Sequence, residues 1–254
     1  FTMLHNRKDL TKNNFLGNKL EIFQFSDGYR GNIDSVLVAA SVAAESGQKV
    51  LELGCGNGVA LCCLLYRISG LEAFGIEIDK KVADLCRQNI ILNNFKANIF
   101  NSNLTKNIKE LKSLSFDHVF MNPPFFKKNT VIPSLSPSSR LAKVETEALS
   151  EWISVAKKRC KPKGMVTIIQ RVERLPEIIK YLNGHFGQIT VQPLSSFKNI
   201  SPKTVIVQAK KSSRSAFKLL TPKIVHRRDA DTGSIIYEDE FEEILRSGRP
   251  LQLN

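Results

Sequence analysis

Asn122-Pro123-Pro124-Phe125 follows directly on an apolar run, and a second aromatic, Phe126, comes after it. This grouping suits the handling of a planar amine. An exocyclic amino group on an aromatic base is a poor nucleophile because its lone pair is delocalised into the ring. The Asn122 side-chain oxygen and the Pro123 carbonyl can each accept one N–H bond from that amine, which favours a pyramidal nitrogen with a directed lone pair. The Phe125 ring supplies a face on which the base can stack. A proline pair serving only to stop a strand explains neither the carboxamide before it nor the aromatics after it. Asn122, Pro123, Pro124 and Phe125 are therefore the candidate catalytic group.

A second group is Glu52-Leu53-Gly54-Cys55-Gly56-Asn57-Gly58. Glycines in such a turn let a ligand approach the backbone, and the start of a following helix offers free amides. The spacing is not the G-x-G-x-x-G of a dinucleotide site, because the third glycine comes one position early and Val59 follows it. No G-x-x-x-x-G-K-[ST] phosphate loop is present either. Further along, Gly75-Ile76-Glu77-Ile78-Asp79 places a carboxylate where it can accept both ribose hydroxyls of an adenosine-containing ligand. Glu52, just before the glycines, can face a cationic group.

The elements around these residues alternate. Short apolar runs at 49–53, 71–78, 97–100, 116–121 and 165–170 read as strands. Helical periods cover 34–44, 59–68, 79–93, 143–160 and 175–182, with Asp79 as an N-cap. The runs 189–192 and 204–209 could close the array as a hairpin-like pair. Strands alternating with helices imply an α/β, doubly wound, mostly parallel sheet, whose ligands gather at the carboxyl ends of the strands. The Ser- and Pro-rich stretch 129–140 reads as a long connection or a lid.

The acid, the G-x-G-x-G turn and the ribose carboxylate together resemble the S-adenosylmethionine site of class I methyltransferases. Asn122-Pro123-Pro124-Phe125 resembles the signature of amino-methyltransferases acting on adenine N6, guanine N2 or a glutamine amide. The segment from Asp27 to Leu37 (DGYRGNIDSVL) is similar to one in bacterial methyltransferases that modify adenine 37 of valine tRNA at N6. The likeness runs from about Gly28 to Gly248. It implies a seven-stranded, Rossmann-like sheet with S-adenosyl-L-methionine as cofactor. The implied division is 1–47 as an N-terminal extension with a cofactor-covering helix, 48–210 as the methyltransferase domain, and 211–254 as a C-terminal extension packing on it. The implied cofactor-binding residues are Arg30, Asp34, Glu52, Gly54, Cys55, Gly56, Asn57, Gly58, Glu77, Ile78, Asn103, Leu104 and Asn122. Asn103 stands where many such enzymes carry an Asp near the adenine, and its amide oxygen could bond the adenine amine. Adenine N6 in RNA is the leading substrate, with tRNA(Val) adenine 37 foremost. Guanine N2 in ribosomal RNA and a protein glutamine remain open.

Charge supports an RNA partner. The 254 residues carry 37 Lys and Arg against 24 Asp and Glu, a net of +13. From Ile178 to Arg228 there is no acidic residue but ten basic ones: Lys180, Lys198, Lys203, Lys210, Lys211, Arg214, Lys218, Lys223, Arg227 and Arg228. Solvated faces normally mix signs, so this surplus points to phosphate contact. Acids return at 229–243, in a tail that could pack on the domain or shield the basic face. The five cysteines and four histidines lack metal-site spacing, so no metal is expected, and the cysteines suit a reducing compartment. The polar, basic start and the lack of any run near 18 apolar residues predict a cytoplasmic protein without membrane attachment. Nothing in the chain argues for a dimer, and a monomer is favoured.

Overall fold

The computed structural model describes residues 8–27, 30–125 and 148–253. Gly28, Tyr29, Phe126 and the Ser/Pro stretch 129–140 lie outside the described residues, as does the first part of the helix expected over 143–160.

The central sheet contains β3 (Lys49–Leu53), β4 (Glu72–Glu77), β5 (Asn98–Asn101), β6 (Phe116–Met121), β7 (Cys160–Arg171), β8 (Phe186–Ser195) and β9 (Thr204–Lys211). Their spatial order is β8-β9-β7-β6-β3-β4-β5, and only β9 runs against its neighbours. Two short strands, β10 (Lys218–Leu219) and β11 (Lys223–Ile224), lengthen the implied seven-stranded array by pairing along the outer edge of β8. There they occupy edge groups that would otherwise stand open to water; the Leu220 and Val225 amides, for example, donate to the carbonyls of Val191 and Ser195.

Alternation along the strands sends side chains to two cores. Phe120, Ile169 and Ile206 face one, with α1 (Ile33–Ser41), α2 (Val59–Arg67) and α3 (Lys80–Leu92). Val119, Ile168 and Val207 face the other, with α4 (Leu149–Arg159) and α5 (Leu175–Leu182). Asp79 caps α3 as expected, its Oδ1 accepting from the amides of Lys81 and Val82 at 2.8 and 3.1 Å. At α1 the cap is Asn32, whose Oδ1 accepts from the Asp34 amide, so Asp34 sits inside the first turn.

Two extensions complete the molecule. An N-terminal hairpin, β1 (Leu10–Phe15) and β2 (Leu20–Phe25), lies against α3 through carboxamides. The Asn89 side chain bonds both the amide and the carbonyl of Phe23, and Asn93 does the same for Glu21. At the other end β12 (His226–Arg228) pairs with β13 (Ile235–Tyr237), and α6 (Asp239–Ser247) buries Phe241 and Ile244 in the core shared with α1 and α2. The Leu251 amide then donates to the Ala40 carbonyl of α1. The acidic tail thus packs on the domain, and in doing so pairs Glu240 with Lys223 and Glu238 and Asp239 with Arg227.

Candidate active site

The informative residues collect at the carboxyl ends of β3, β4 and β6. Leu53 is level with Ile76 on one side and Met121 on the other, so Gly54 and Asn122 leave neighbouring strands at the same height. Adjacent strands lie about 4.8 Å apart, which brings the two loops together.

The glycine loop requires its glycines. Gly54, Gly56 and Gly58 have φ of +65°, +53° and +87°, where L side chains are strained. A Cβ on Gly54 would also stand 2.5 Å from the Trp152 ring. The loop is tied to β4 by the carboxylate of Glu77, whose Oε2 accepts from the Gly56 amide at 3.0 Å and whose Oε1 accepts from the Asp79 amide at 2.9 Å. Burial raises the Glu77 pKa, and these amide bonds oppose the rise. Each oxygen keeps a lone pair for a further donor. Ile78, next along, is an apolar side chain left 50% exposed.

Glu52 is 3% exposed, and its Oε2 is buried without a hydrogen-bond partner among the described residues. Burial, then the neighbouring Cys86 and Glu77, push its pKa well above the usual carboxylate range. An orphaned buried acceptor carries a desolvation cost of about 1–3 kcal/mol. A cation placed against it would offset that cost.

Asn122 follows the last residue of β6, and its Oδ1 is likewise buried with no partner among the described residues. The next two carbonyls are engaged by a residue that the sequence alone did not single out. Gln170, fully buried near the end of β7, donates from Nε2 to the Pro123 and Pro124 carbonyls at 3.2 and 3.3 Å. Its Oε1 accepts from the Arg171 amide at 2.8 Å, which fixes the carboxamide orientation. Nothing in the local pattern MVTIIQ marks Gln170; only the β6–β7 register brings it to the prolines.

Several assigned residues already have protein partners. Arg30 spends its guanidinium on the hairpin, donating to Thr11 Oγ1, the Phe25 carbonyl and Asn13 Oδ1 at 2.8, 2.9 and 2.7 Å. Asn57 turns inward: its Nδ2 donates to Gln24 Oε1 at 2.8 Å, and the same oxygen accepts from the Gly31 amide. Cys55 is buried beside Cys86, with its sulfur 3.9 Å from the other and its backbone amide given to the Ile76 carbonyl. Asn103 Oδ1, expected at an adenine amine, accepts from both the amide and the hydroxyl of Thr105 at 2.8 and 2.7 Å. Leu104 packs on the core beneath. The Asp34 carboxyl is raised by burial, against the lowering effects of Asn32 and the Arg171 guanidinium at the end of β7. Among the described residues no group of three or more His, Cys, Asp or Glu could hold a metal, and no helix is long and apolar enough to cross a membrane.

A mostly parallel sheet with a single reversed strand inserted beside its edge strand, a glycine loop after the first central strand and a carboxylate ending the next, is the fold of class I methyltransferases. A crystal structure of a predicted O-methyltransferase from Agrobacterium tumefaciens superposes with a TM-score of 0.69 at 21% identity, covering 86% of this chain and 98% of that one. An S-adenosylmethionine-dependent O-methyltransferase from Thermotoga maritima gives 0.53 at 17% identity, over 74% and 68% of the two chains. The chain belongs to the methyltransferase small domain family, whose model matches residues 25–197. S-adenosylmethionine is the cofactor that this membership brings. A tRNA1(Val) (adenine(37)-N6)-methyltransferase from Porphyromonas gingivalis is 28% identical over 171 residues, 64% of this chain and 67% of its own. A ribosomal RNA small subunit methyltransferase C from Colwellia psychrerythraea is 22% identical over 138 residues, 54% of this chain. The match spans only 34% of that relative's length. The chain likewise spans only 37% of a methyltransferase relative from Methanocaldococcus jannaschii.

Proposed function

We propose that this protein transfers a methyl group from S-adenosylmethionine to the exocyclic N6 amine of an adenine in RNA, with tRNA(Val) adenine 37 as the leading target. The observation that carries the reading is the buried Oδ1 of Asn122 beside the glycine loop, which has no partner among the described residues. A buried acceptor left open at a strand end awaits a donor, and an amine supplies one.

The residues present fit the cofactor. Glu77 offers free lone pairs to ribose hydroxyls, Gly54 and Gly56 allow close backbone approach, Ile78 offers an apolar edge to an adenine, and the orphaned Glu52 oxygen suits a cationic group. When bound, S-adenosylmethionine supplies an electrophilic methyl group on sulfur. Asn122 Oδ1 accepts one N–H of the substrate amine and the Pro123 carbonyl accepts the other through its second lone pair, the first being held by Gln170. The two bonds turn the nitrogen lone pair toward the methyl carbon. With S-adenosylmethionine bound, its sulfonium would supply the methyl group to that lone pair and depart as a thioether, and the methylated amine would release a proton to solvent. No strong general base is required before attack. Phe125 stacks on the base, which must leave its helical stack to reach Asn122. RNA, and tRNA in particular, is the partner this chemistry and the basic surface call for, and the cytoplasm is where we place the reaction.

The relative named as a ribosomal RNA methyltransferase makes ribosomal RNA the second reading. Incubation with methyl-labelled cofactor and unmodified tRNA, ribosomal RNA or a release factor, followed by digestion, separates them. N6-methyladenosine in tRNA is expected. N2-methylguanosine in ribosomal RNA would move the assignment to the second reading, and methylglutamine would overturn the nucleic-acid assignment.

A further inference from the structure

The basic residues of the acid-free stretch do not share one face. Because β8 and β9 are antiparallel, the chain visits opposite ends of the sheet in turn. Thr204 is level with Arg171 and Leu194, at the carboxyl end where Gln170 holds the two prolines. Lys210 is level with Met165 and Gly187, six residues and about 20 Å away. Lys211 and Arg214 lie beyond it at that far end, and Lys218 pairs with Thr190 toward it.

At the carboxyl end the cations are unequally used. Lys223 and Arg227 are paired with the tail, and Arg228 donates to the Gly233 carbonyl at 3.3 Å. Lys198 and Lys203 are exposed, and neither forms an ion pair among the described residues. Between them Ile200 is 48% exposed. Their loop is held firmly. The Lys203 carbonyl accepts from the Val172 amide at 3.0 Å, the Ser196 carbonyl accepts from the His226 amide at 3.0 Å, and His226 lies between Phe197 and Tyr237 at centroid distances of 5.7 and 4.9 Å. Two cations without an ion pair among the described residues and an apolar side chain are thus displayed on a braced loop, and Lys203 stands two residues from Val205, the β9 partner of the Gln170 that holds the two prolines.

We propose that loop 196–203 is the docking surface for the RNA strand flanking the target base, with Lys198 and Lys203 on phosphates and Ile200 against a neighbouring sugar or base. This rests on the RNA reading of the function. The far-end cations have other duties in part: Lys211 donates to the carbonyls of Lys157 and Cys160, where α4 meets β7, and Lys161 pairs with Asp117.

The test compares two double variants of the whole chain, Lys198→Ala/Lys203→Ala and Arg214→Ala/Lys218→Ala, with an unmodified tRNA(Val) transcript. For the first pair we expect RNA binding weakened about tenfold, and a plot of log affinity against log salt shallower by about two. Its cofactor Kd, Tm and kcat at saturating RNA should stay within twofold of wild type. The second pair should bind RNA within twofold of wild type. Equal losses in both pairs, a loss confined to the second, or no loss in the first would overturn the docking assignment while leaving N6 methylation by the wild-type protein intact. A wild-type protein that neither binds nor methylates any RNA would remove the functional reading and the docking surface together.

Discussion

The two strand ends that make the site are built in opposite ways. After β3 the glycine loop is held from several sides: Glu77 takes the Gly56 amide, Gln24 joins Asn57 to Gly31, and Asn89 takes the Asn57 carbonyl. After β6 the Asn-Pro-Pro turn is held by Gln170 alone among the described residues, and its key acceptor, Asn122 Oδ1, is left open. The first arrangement fixes a backbone shape before any ligand arrives. The second leaves, among the described residues, an unmet acceptor that the proposed function gives to the reacting amine. Glu52 and Asn57 join the two ways of building: both sit on the rigid side, yet among the described residues Glu52 Oε2 and Asn57 Oδ1 are buried without partners.

That contrast can be broken by substitution. Asn122→Ala should lower methyl transfer by roughly 10²–10³, as loss of a preorganised hydrogen-bonding group in the transition state does, while calorimetric cofactor affinity stays within about threefold. Parallel losses in both would mean that the two ends are not separate. Gly54→Ala should act on the other end: left-handed strain and contact with the Trp152 ring together cost roughly 2–4 kcal/mol. A drop in Tm with a loss of cofactor binding is the expected result, and an unchanged protein would show that the loop is not preformed.

Gln170→Ala leaves both proline carbonyls without their described donor, so kcat should fall about tenfold with cofactor Kd unchanged. Gln170→Glu, which keeps the shape but loses the donor, should not rescue it. The smallest effect concerns Glu52. Its folded-state pKa is raised, so its contribution to stability is fully present below the unfolded pKa and is lost as pH rises through the folded value. Glu52→Gln should therefore raise the cofactor-free Tm by a few degrees at neutral pH and erase that part of the pH dependence. The same change should weaken cofactor binding several-fold, and a rise in both would contradict the role given to the orphaned oxygen.

Much of this was readable in advance. Apolar runs located the seven central strands, although β7 begins at Cys160, where a helix end was expected, and β8 extends past 189–192 at both ends; 175–182 emerged as a helix with the same ends, and Asp79 capped as its type and place require. Such features are set by neighbours in the chain. Residues whose roles depend on distant neighbours were not readable. Gln170 is one polar residue at the end of an apolar strand until register sets it beside Pro123. Arg30 has the reach to serve a ligand or a hairpin, and the hairpin itself was missed although Leu20 and Ile22 alternate into the core, because its ties to the carboxamides of α3 come from residues far along the chain. Asn103, assigned to an adenine amine, forms a local turn with Thr105 that the sequence reading did not foresee, since short polar side chains readily bond nearby backbone. The basic stretch looked continuous because sequence order conceals an antiparallel pair.

The most direct test of the reserved acceptor is a crystal structure with S-adenosylhomocysteine and an RNA fragment carrying the target adenine. Asn122 Oδ1 should accept from adenine N6 at about 2.9 Å, with the Pro123 carbonyl taking the second N–H and Glu77 the ribose hydroxyls of the cofactor product. An Asn122 carboxamide bonded to protein or to the cofactor product, with the adenine amine held elsewhere, would contradict the account.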